Sequence, residues 1–401
     1  MGLANGMFNA LTGNPAELNA RSFAGNILRR FPNGSAPMFA LTSMIGRSRA
    51  KATTHGYFAK LMAFLVITQA TTNIAGDASF TWPSTAGVVK GMTFFNRRSR
   101  EIVRISAVSS ATVVAVTRGF GRIPAAAVNA GDIWVNIGTA FEEGSDRPES
   151  RRITTSYVPN FTQIFRNAWA MTDTARASYA EAGISNIAEN KGDCAMFHSV
   201  DIEATIIWGQ AKMDTTGSTP IHATQGVIDA LEQYAPENTN VAAGTTNFDQ
   251  LVALSEPAFK YSTNLGNSKE RVGFGDAQAL RVLNSIGRQS GQIQMMTSET
   301  RFGMKYTSFQ FYKGSIDLIE HPLMNELAAP GSLLIMDMSA LKLAYMDGRD
   351  TVPESYGVVN GQNRDPIGKD ATGGSLTTEL AVELINPYSC ALIEGLTAGA
   401  A

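Results

Sequence analysis

Between Ile184 and Ala211 the chain carries Ile187, Cys194, Phe197, Val200, Ala204, Ile207, Trp208 and Ala211 at intervals of three, four and seven. Side chains so spaced share one face of an α-helix. Glu189, Asp193, Ser199, Glu203 and Gln210 fall largely off that face. At a rise of 1.5 Å per residue the segment predicts a rod of roughly 42 Å, long enough to be the backbone of a whole domain. Gly192 weakens it by about 1 kcal/mol relative to alanine. The polar run Asp214 to Gly217 ends it.

Upstream, residues 85–142 follow a different period. Val103 and Ile105 alternate with Arg104 and Ser106, and Val114 and Val116 share a face. After breaks at Gly119, Gly121 and Pro124 and a turn at Gly131-Asp132, Ile133, Val135 and Ile137 alternate with Trp134 and Asn136. Alternation of period two bounded by glycine predicts short strands, here a compact β module over about 86–142 inserted into a long hairpin. A further strand is expected around Ile153 to Phe165. Residues 1–50, rich in Asn, Gly, Ser and Ala, read as an extended arm with at most a short helix near Ala24–Arg30.

Downstream the pattern is mixed. Phe248–Phe259 and Asp276–Ile286 read as helices, the second capped by Asp276. Phe309–Ile319 reads as a hairpin around Lys313-Gly314, and Leu333–Met336 as a buried strand. Residues 351–375 read as a long loop. Leu376, Leu380, Val382 and Leu384 against Thr377, Glu379 and Glu383 predict a half-exposed strand that stops at Asn386-Pro387. No internal repeat is visible. The fold class is α+β.

Charge adds a second constraint. The net charge is only −2, and charged residues make up 17% of the chain against roughly 25% in an average soluble protein. So low a share suggests a surface covered by other parts of the chain or by neighbouring copies, and the near-neutral balance argues against a generic nucleic-acid binder. The charge is segregated, however. Residues 1–122 hold 14 Lys/Arg and three acids (Glu17, Asp77, Glu101); residues 123–401 hold 19 and 32. Three readings compete: the basic third lies across its own acidic body, it meets phosphates, or it reaches the acidic body of the next copy. Residues alone favour the first slightly.

Chemistry is hard to find. Two cysteines, Cys194 and Cys390, form no disulfide framework or zinc ribbon and point to synthesis in a reducing compartment. No signal peptide is visible, and the longest apolar run, Leu61–Ile67, is too short to cross a bilayer. None of His55, His198, His222 and His321 sits in a zincin motif, and His198 reads as a core or interface residue. Gly273-Phe274-Gly275 imitates a phosphate-binding turn, but Gln278 replaces the third glycine, so a structural turn is expected. Asp337, Asp347 and Asp350 fit no calcium loop. Phe94, Phe95, Arg97, Arg98 and Arg100 fit a single-strand binding surface and a hairpin tip equally well. No catalytic residue, cofactor or metal site is expected.

Several short motifs in order carry a resemblance. They are Thr117-Arg118-Gly119, Ala130-Gly131-Asp132, Gly138 to Gly144, Asn160 to Arg166, Asp201-Ile202-Glu203 through Ile207-Trp208-Gly209, and Glu383 to Pro387. Together, over about residues 40–396, the chain resembles the major capsid proteins of tailed bacteriophages, in the subgroup typified by phage SU10. The resemblance implies a Hong Kong 97-like fold. Its parts would be an N-terminal arm (1–50), an extended loop (51–170) including the β module, a peripheral domain (171–214 and 376–401) with the long spine helix, an axial domain (215–350) and a loop (351–375). It implies a non-enzymatic shell protein that assembles through hexamers and pentamers around double-stranded DNA, with a portal at one vertex. Separate scaffolding and cement proteins are possible partners, and no membrane is involved. Assembly would take place in the host bacterial cytoplasm, and the product would be the virion. Because arm and loop reach neighbours in such shells, the third charge reading rises above the others. The inter-subunit candidates are Arg29, Arg30, Arg47, Arg49, Arg97, Arg98, Arg118, Glu142 and Glu143. An encapsulin-type compartment shell is the rival within the fold, and a metal-dependent hydrolase built on Asp337, Asp347 and Asp350 the rival outside it.

Overall fold

The two sequence grammars fold as two separate units, the described residues up to Tyr57 and from Pro159 in one, Phe58–Val158 in the other. The computed structural model describes residues 47–397 apart from 61–63, 173, 176–185, 262–268, 291–295, 302–303, 357, 360–361 and 364–370. The expected arm and its helix near Ala24–Arg30 lie outside the described residues.

The described chain opens with β1 (Arg47–Ala50) and β2 (Thr54–Ala59). The second unit then forms a six-stranded sheet from β3 (Val66–Thr68), β4 (Ser79–Thr81), β5 (Met92–Asn96), β6 (Ile102–Val108), β7 (Val113–Thr117) and β8 (Ile133–Thr139), in the order β3-β8-β5-β6-β7-β4. Val103, Ile105, Val114 and Val116 point inward as their alternation predicts and pack with Phe80, Trp82, Phe94 and Trp134. Full burial of a Phe-sized side chain contributes about 1.5–3 kcal/mol. At β8 the alternation misleads. Trp134 is wholly buried, while Ile137 on the opposite face is 54% exposed. The indole N–H groups of Trp134 and Trp82 both donate to Gln69 Oε1, at 3.1 and 2.9 Å, so one buried amide serves two large rings.

The module also begins earlier than residue 86, because β3 and β4, three residues each, are too short to show a period. A deletion of 88–140 would therefore strip both strands of their partners and expose Phe80 and Trp82. It is expected to aggregate. Replacing 64–154 by a short Gly/Ser linker should instead leave the helical circular dichroism at 222 nm intact; its loss would show that the units do not fold separately.

β9 (Ser156–Phe161) pairs with β2, and β10 (Gln163–Thr172) opens the main sheet of the first unit. The long helix follows as α1 (Asn186–Trp208), three residues shorter at its C-terminal end than the spacing predicts. Gly209 halts it: a Cβ there would lie 2.6 Å from the Thr205 and Thr224 carbonyl oxygens, and Gly209 O accepts the Gly226 N–H at 2.7 Å. Its buried face is also rotated. Cys194, His198, Ile202 and Ile206 are buried, Glu203 with them, whereas Phe197, assigned above to the apolar face, is 58% exposed.

The main sheet runs Arg47–Ala50, Leu341–Met346, Ala371–Leu384, Gln163–Thr172, with Val352–Tyr356 also paired to the long strand Ala371–Leu384. Two expectations fail here. Part of the supposed 351–375 loop is strand, and Leu376–Leu384 is not half exposed. Neighbours bury Thr377, Thr378 and Glu379. Glu379 survives burial because the Arg349 guanidinium (2.8 Å) and the Thr162 hydroxyl (2.9 Å) both donate to it.

A seven-stranded sheet completes the unit, with Leu333–Met336 fully buried and the hairpin Met304–Phe311/Gly314–Glu320 turning at Lys313 as expected. Around the sheets lie α2 (Val227–Tyr234), α3 (Phe248–Ser255), α4 (Ala277–Ser290) and α5 (Pro322–Leu327). Asp276 caps α4, its Oδ1 accepting the Ala279 N–H at 2.7 Å. Gly273 and Gly275 lie within a central strand, not a turn. A Cβ on Gly273 would sit 2.9 Å from Ile316, so the glycine serves close packing and the phosphate-turn reading falls away.

Candidate assembly surfaces

The candidate contact residues separate into three kinds once their partners are known. Arg118 and Arg98 are both held by partners within the β module, Arg118 buried and Arg98 half exposed. Arg118 donates to both Glu101 oxygens at 2.7 and 2.8 Å and to the Ile74 and Ala126 carbonyls, and its guanidinium lies 5.0 Å from the Phe80 ring centre. Arg98 grips both Asp132 oxygens at 2.8 and 2.7 Å and the Ala127 carbonyl at 2.9 Å. Arg118 thus ties β6 to the segment after β7, and its side chain is buried within the subunit. Glu101, which sequence reasoning passed over, is fully buried. Its signal was visible: it is the only acid among four arginines between Arg97 and Arg104.

Arg47, Arg49 and Glu142 are paired within their own unit but stay accessible. Arg47 ion-pairs with Asp350 and lies over the Tyr345 ring, and Arg49 reaches Asp347 at 3.8 Å. Glu142 is 3.4 Å from Arg104. The two arginine pairs are what the intramolecular charge reading requires of β1. Arg97 and Glu143 are exposed and have no ion pair among the described residues. Arg29 and Arg30 lie outside them.

The acids of the hydrolase reading do not converge. Asp350 and Asp347 are held by Arg47 and Arg49, while buried Asp337 faces Arg271 at 3.4 Å and caps the turn at Ser339. Among the described residues no group of three or more His, Cys, Asp or Glu could hold a metal. His198 is a core residue, with Asn167 Oδ1 at 2.7 Å and Thr378 Oγ1 at 2.8 Å, and burial pushes its pKa down. Both cysteines are buried, and burial pushes the Cys390 thiol up to about 11. Among the described residues no helix is long and apolar enough to cross a membrane.

Several large side chains are exposed at the surface. Phe64 is 91% exposed, and Phe58, 74% exposed, lies against the Tyr157 ring (centroids 5.1 Å).

The ion pairs imply a pH dependence. Hydrogen bonds from the Arg98 guanidinium hold the Asp132 carboxyl below its ordinary value, against burial. At Glu383 the His55 ring does the same, with burial opposing and the Ser48 hydroxyl assisting. Burial pushes Glu101 up, but Arg118 and the Gly119 amide outweigh it and hold it low. Carboxyls depressed in the folded state bind fewer protons than in the unfolded chain. Their stabilisation is present above the unfolded values of about 3.9–4.3 and is lost as pH falls through the folded ones. Urea midpoints followed by Trp fluorescence should hold from pH 7 to 5 and fall steeply below pH 4. Asp132→Asn should flatten that fall.

Comparison with known proteins agrees with this picture. The family model described as SU10 major capsid protein matches residues 7–397. The major capsid protein of Pseudomonas phage PaMx41 is 48% identical over 407 residues, covering 99% of this chain and 97% of that one. Among solved structures, a chain of Microbacterium phage Oxtober96 aligns with 94% of this chain and 97% of its own at 11% identity and a TM-score of 0.48. An encapsulin from Synechococcus elongatus PCC 7942 aligns with 62% of this chain and 81% of its own at 9% identity and a TM-score of 0.43. Family model and relative both span nearly the whole sequence, which favours the phage capsid reading over the encapsulin one. The chain belongs to the SU10 major capsid protein family.

Proposed function

We propose that this major capsid protein builds an icosahedral phage head of the Hong Kong 97 plan, through hexamers and pentamers that enclose double-stranded DNA. The observation that carries the reading is the family match across residues 7–397, together with a relative 48% identical over the full chain. In this reading residues 1–50 are the arm, 51–170 the extended loop with its β module, 171–214 and 376–401 the peripheral domain and 215–350 the axial domain. The role is structural and not catalytic, a reading supported by acids that are each engaged by an arginine. A portal at one vertex, scaffolding and cement proteins, and non-specifically held DNA are the further partners. Assembly takes place in the bacterial cytoplasm.

The basic arm is assigned to a neighbouring copy. Exposed ion pairs contribute about 0.2–1 kcal/mol each, so Arg29→Glu with Arg30→Glu should leave a subunit folded, yet the loss recurs at every lattice contact. Size-exclusion chromatography without nucleic acid should show hexamers, pentamers or shells for the wild type and their loss for the double variant. Raised salt should act likewise, since the Debye length falls from about 10 Å at 0.1 M to 3 Å at 1 M. Empty particles at wild-type yield from the variant would refute the arm assignment, and a wild type that stays a single chain would refute the shell.

A further inference from the structure

One end of the β module carries a groove of about 570 Å3 with an apolar floor of Phe95, Ile102 and Ile123 and a rim of Arg97, Arg100 and Arg122. No acid lines it. The module's acids near these arginines are already engaged, Asp132 by Arg98 and Glu101 by Arg118. Arg97, Arg100 and Arg122 are exposed and have no ion pair among the described residues. Arg100 moreover holds a left-handed conformation (φ +59°), in which a non-glycine residue is uncommon.

The same unit has a segment with the complementary deficit. From Phe141 to Thr155 the chain forms a strap with no regular structure, and every residue of it is exposed. Glu143, Asp146 and Glu149 lie in it, and none has an ion pair among the described residues. Of the strap's cations only Arg147 falls within 143–149, so that stretch is net acidic. Its start is fixed: a Cβ on Gly91 would lie 2.5 Å from the Phe141 ring, so the ring sits directly over bare backbone.

The groove and the start of the strap lie at opposite ends of the sheet. In the β5–β8 ladder Met92 pairs with Thr139, where the strap departs, and Asn96 pairs with Trp134, where the arginine turn begins. Four residues of strand separate those ends by about 13 Å. Complementary patches at opposite ends of one unit are the condition for a head-to-tail contact between identical copies.

We propose that the Arg97–Arg100–Arg122 groove receives the acidic strap 143–149 of a second copy of this chain. Guanidinium forks take carboxylates bidentately, and the apolar floor accepts the strap's backbone and stems. This deepens the shell reading and rests on it, since only an assembling chain presents the strap of one copy to the groove of another.

Disulfide trapping tests it. Arg122→Cys and Glu143→Cys, on two differently tagged full-length chains expressed together, should give an interchain disulfide under mild oxidation. The native cysteines are both buried and supply little background. Arg122→Cys paired with Ser110→Cys is the control and should give several-fold less. In parallel, reversing Arg97, Arg100 and Arg122 to Glu should cut particle yield. Each exposed pair changes an affinity by about 1.4- to 5-fold, so three together give roughly 3- to 100-fold. Adding Glu143→Arg, Asp146→Arg and Glu149→Arg to the same chain should restore most of that yield. No disulfide above control, with normal particles, overturns the groove proposal and leaves the shell standing. Particles that assemble normally from the arginine-reversed chain but retain less nucleic acid would make the occupant a polyphosphate and overturn it too. Absence of both disulfide and particles in every chain overturns the shell reading and the groove with it.

Discussion

Arg118→Ala is expected to destabilise the β module by about 3–5 kcal/mol, because it leaves a buried carboxylate without its counter-charge. Glu101 is fully buried and would keep only the backbone amides of Gly119 (3.0 Å) and Ala126 (3.4 Å). The Ala126 carbonyl would lose its Arg118 donor as well, and the Ile74 carbonyl would keep only the Asp77 N–H at 3.2 Å. Glu101→Gln, which keeps the shape and removes the charge, should cost less. With a urea dependence of about 1–3 kcal/mol per M, the Arg118→Ala midpoint should fall by roughly 1–5 M. Trp82 and Trp134, in the same core, report it directly. Were Arg118 a contact between copies, the lone subunit would unfold at the wild-type midpoint and only assembly would suffer.

The second large effect is expected at the centre of the other unit. His321 Nδ1 accepts the Leu323 N–H at 3.2 Å, so the proton of a neutral ring sits on Nε2 and is donated to Glu203 Oε1 at 2.8 Å. Both side chains are fully buried, and the imidazole stands edge-on to Phe274, 5.7 Å between centroids. His321→Leu takes this donor from a buried carboxylate and uncaps α5; it should cost about 3–5 kcal/mol. Glu203→Leu leaves only a neutral N–H unsatisfied and should cost about 1–3 kcal/mol. Joint replacement should recover part of the loss, because it removes the buried carboxylate along with its donor and leaves the Leu323 N–H as the group that His321 no longer caps. Guanidinium unfolding followed at 222 nm distinguishes these orders. Equal costs for the two single variants would contradict the assigned tautomer.

These two pairs also explain why some of the molecule was legible in the sequence and some was not. Val103, Ile105, Val114 and Val116 announce their strands because each answers only to local alternation. Glu203, which falls off the apolar face, could not be read that way, and His198 reads as a core or interface residue only from its place beside that face. Each is admitted to the core by a partner far along the chain, His321 for the first and Thr378 for the second. Counting only apolar residues therefore put Phe197 on the buried face of α1 and left Glu203 off it, while Cys194, Ile207 and Trp208 of the expected face do pack inward. The same cause hid the burial of Glu379, which depends on Arg349 and Thr162. The strands at Val66 and Ser79 were missed because three residues carry no period.

The motifs that carried the family resemblance turn out to be fixing points of the fold. Thr117-Arg118-Gly119 holds the Glu101 pair and a left-handed glycine (φ +57°), and Ala130-Gly131-Asp132 holds the Arg98 pair and another (φ +91°). Asn160 is buried, donating to the Val382 carbonyl at 2.6 Å and accepting the Gln225 N–H at 2.7 Å. Residues that satisfy buried backbone cannot be exchanged freely. By contrast Arg97, Arg100, Arg122 and the strap acids gave only a charge count. Their meaning depends on which of their neighbours are already paired, and the folded chain alone displays that.

The most direct test of the central claim is electron microscopy of the full-length chain expressed alone and, separately, with its own phage's head proteins. The account predicts closed, uniform icosahedral shells in at least the second case, with hexameric and pentameric units built from this chain. A chain that stays monomeric in both, or shells in which it is absent, would contradict it.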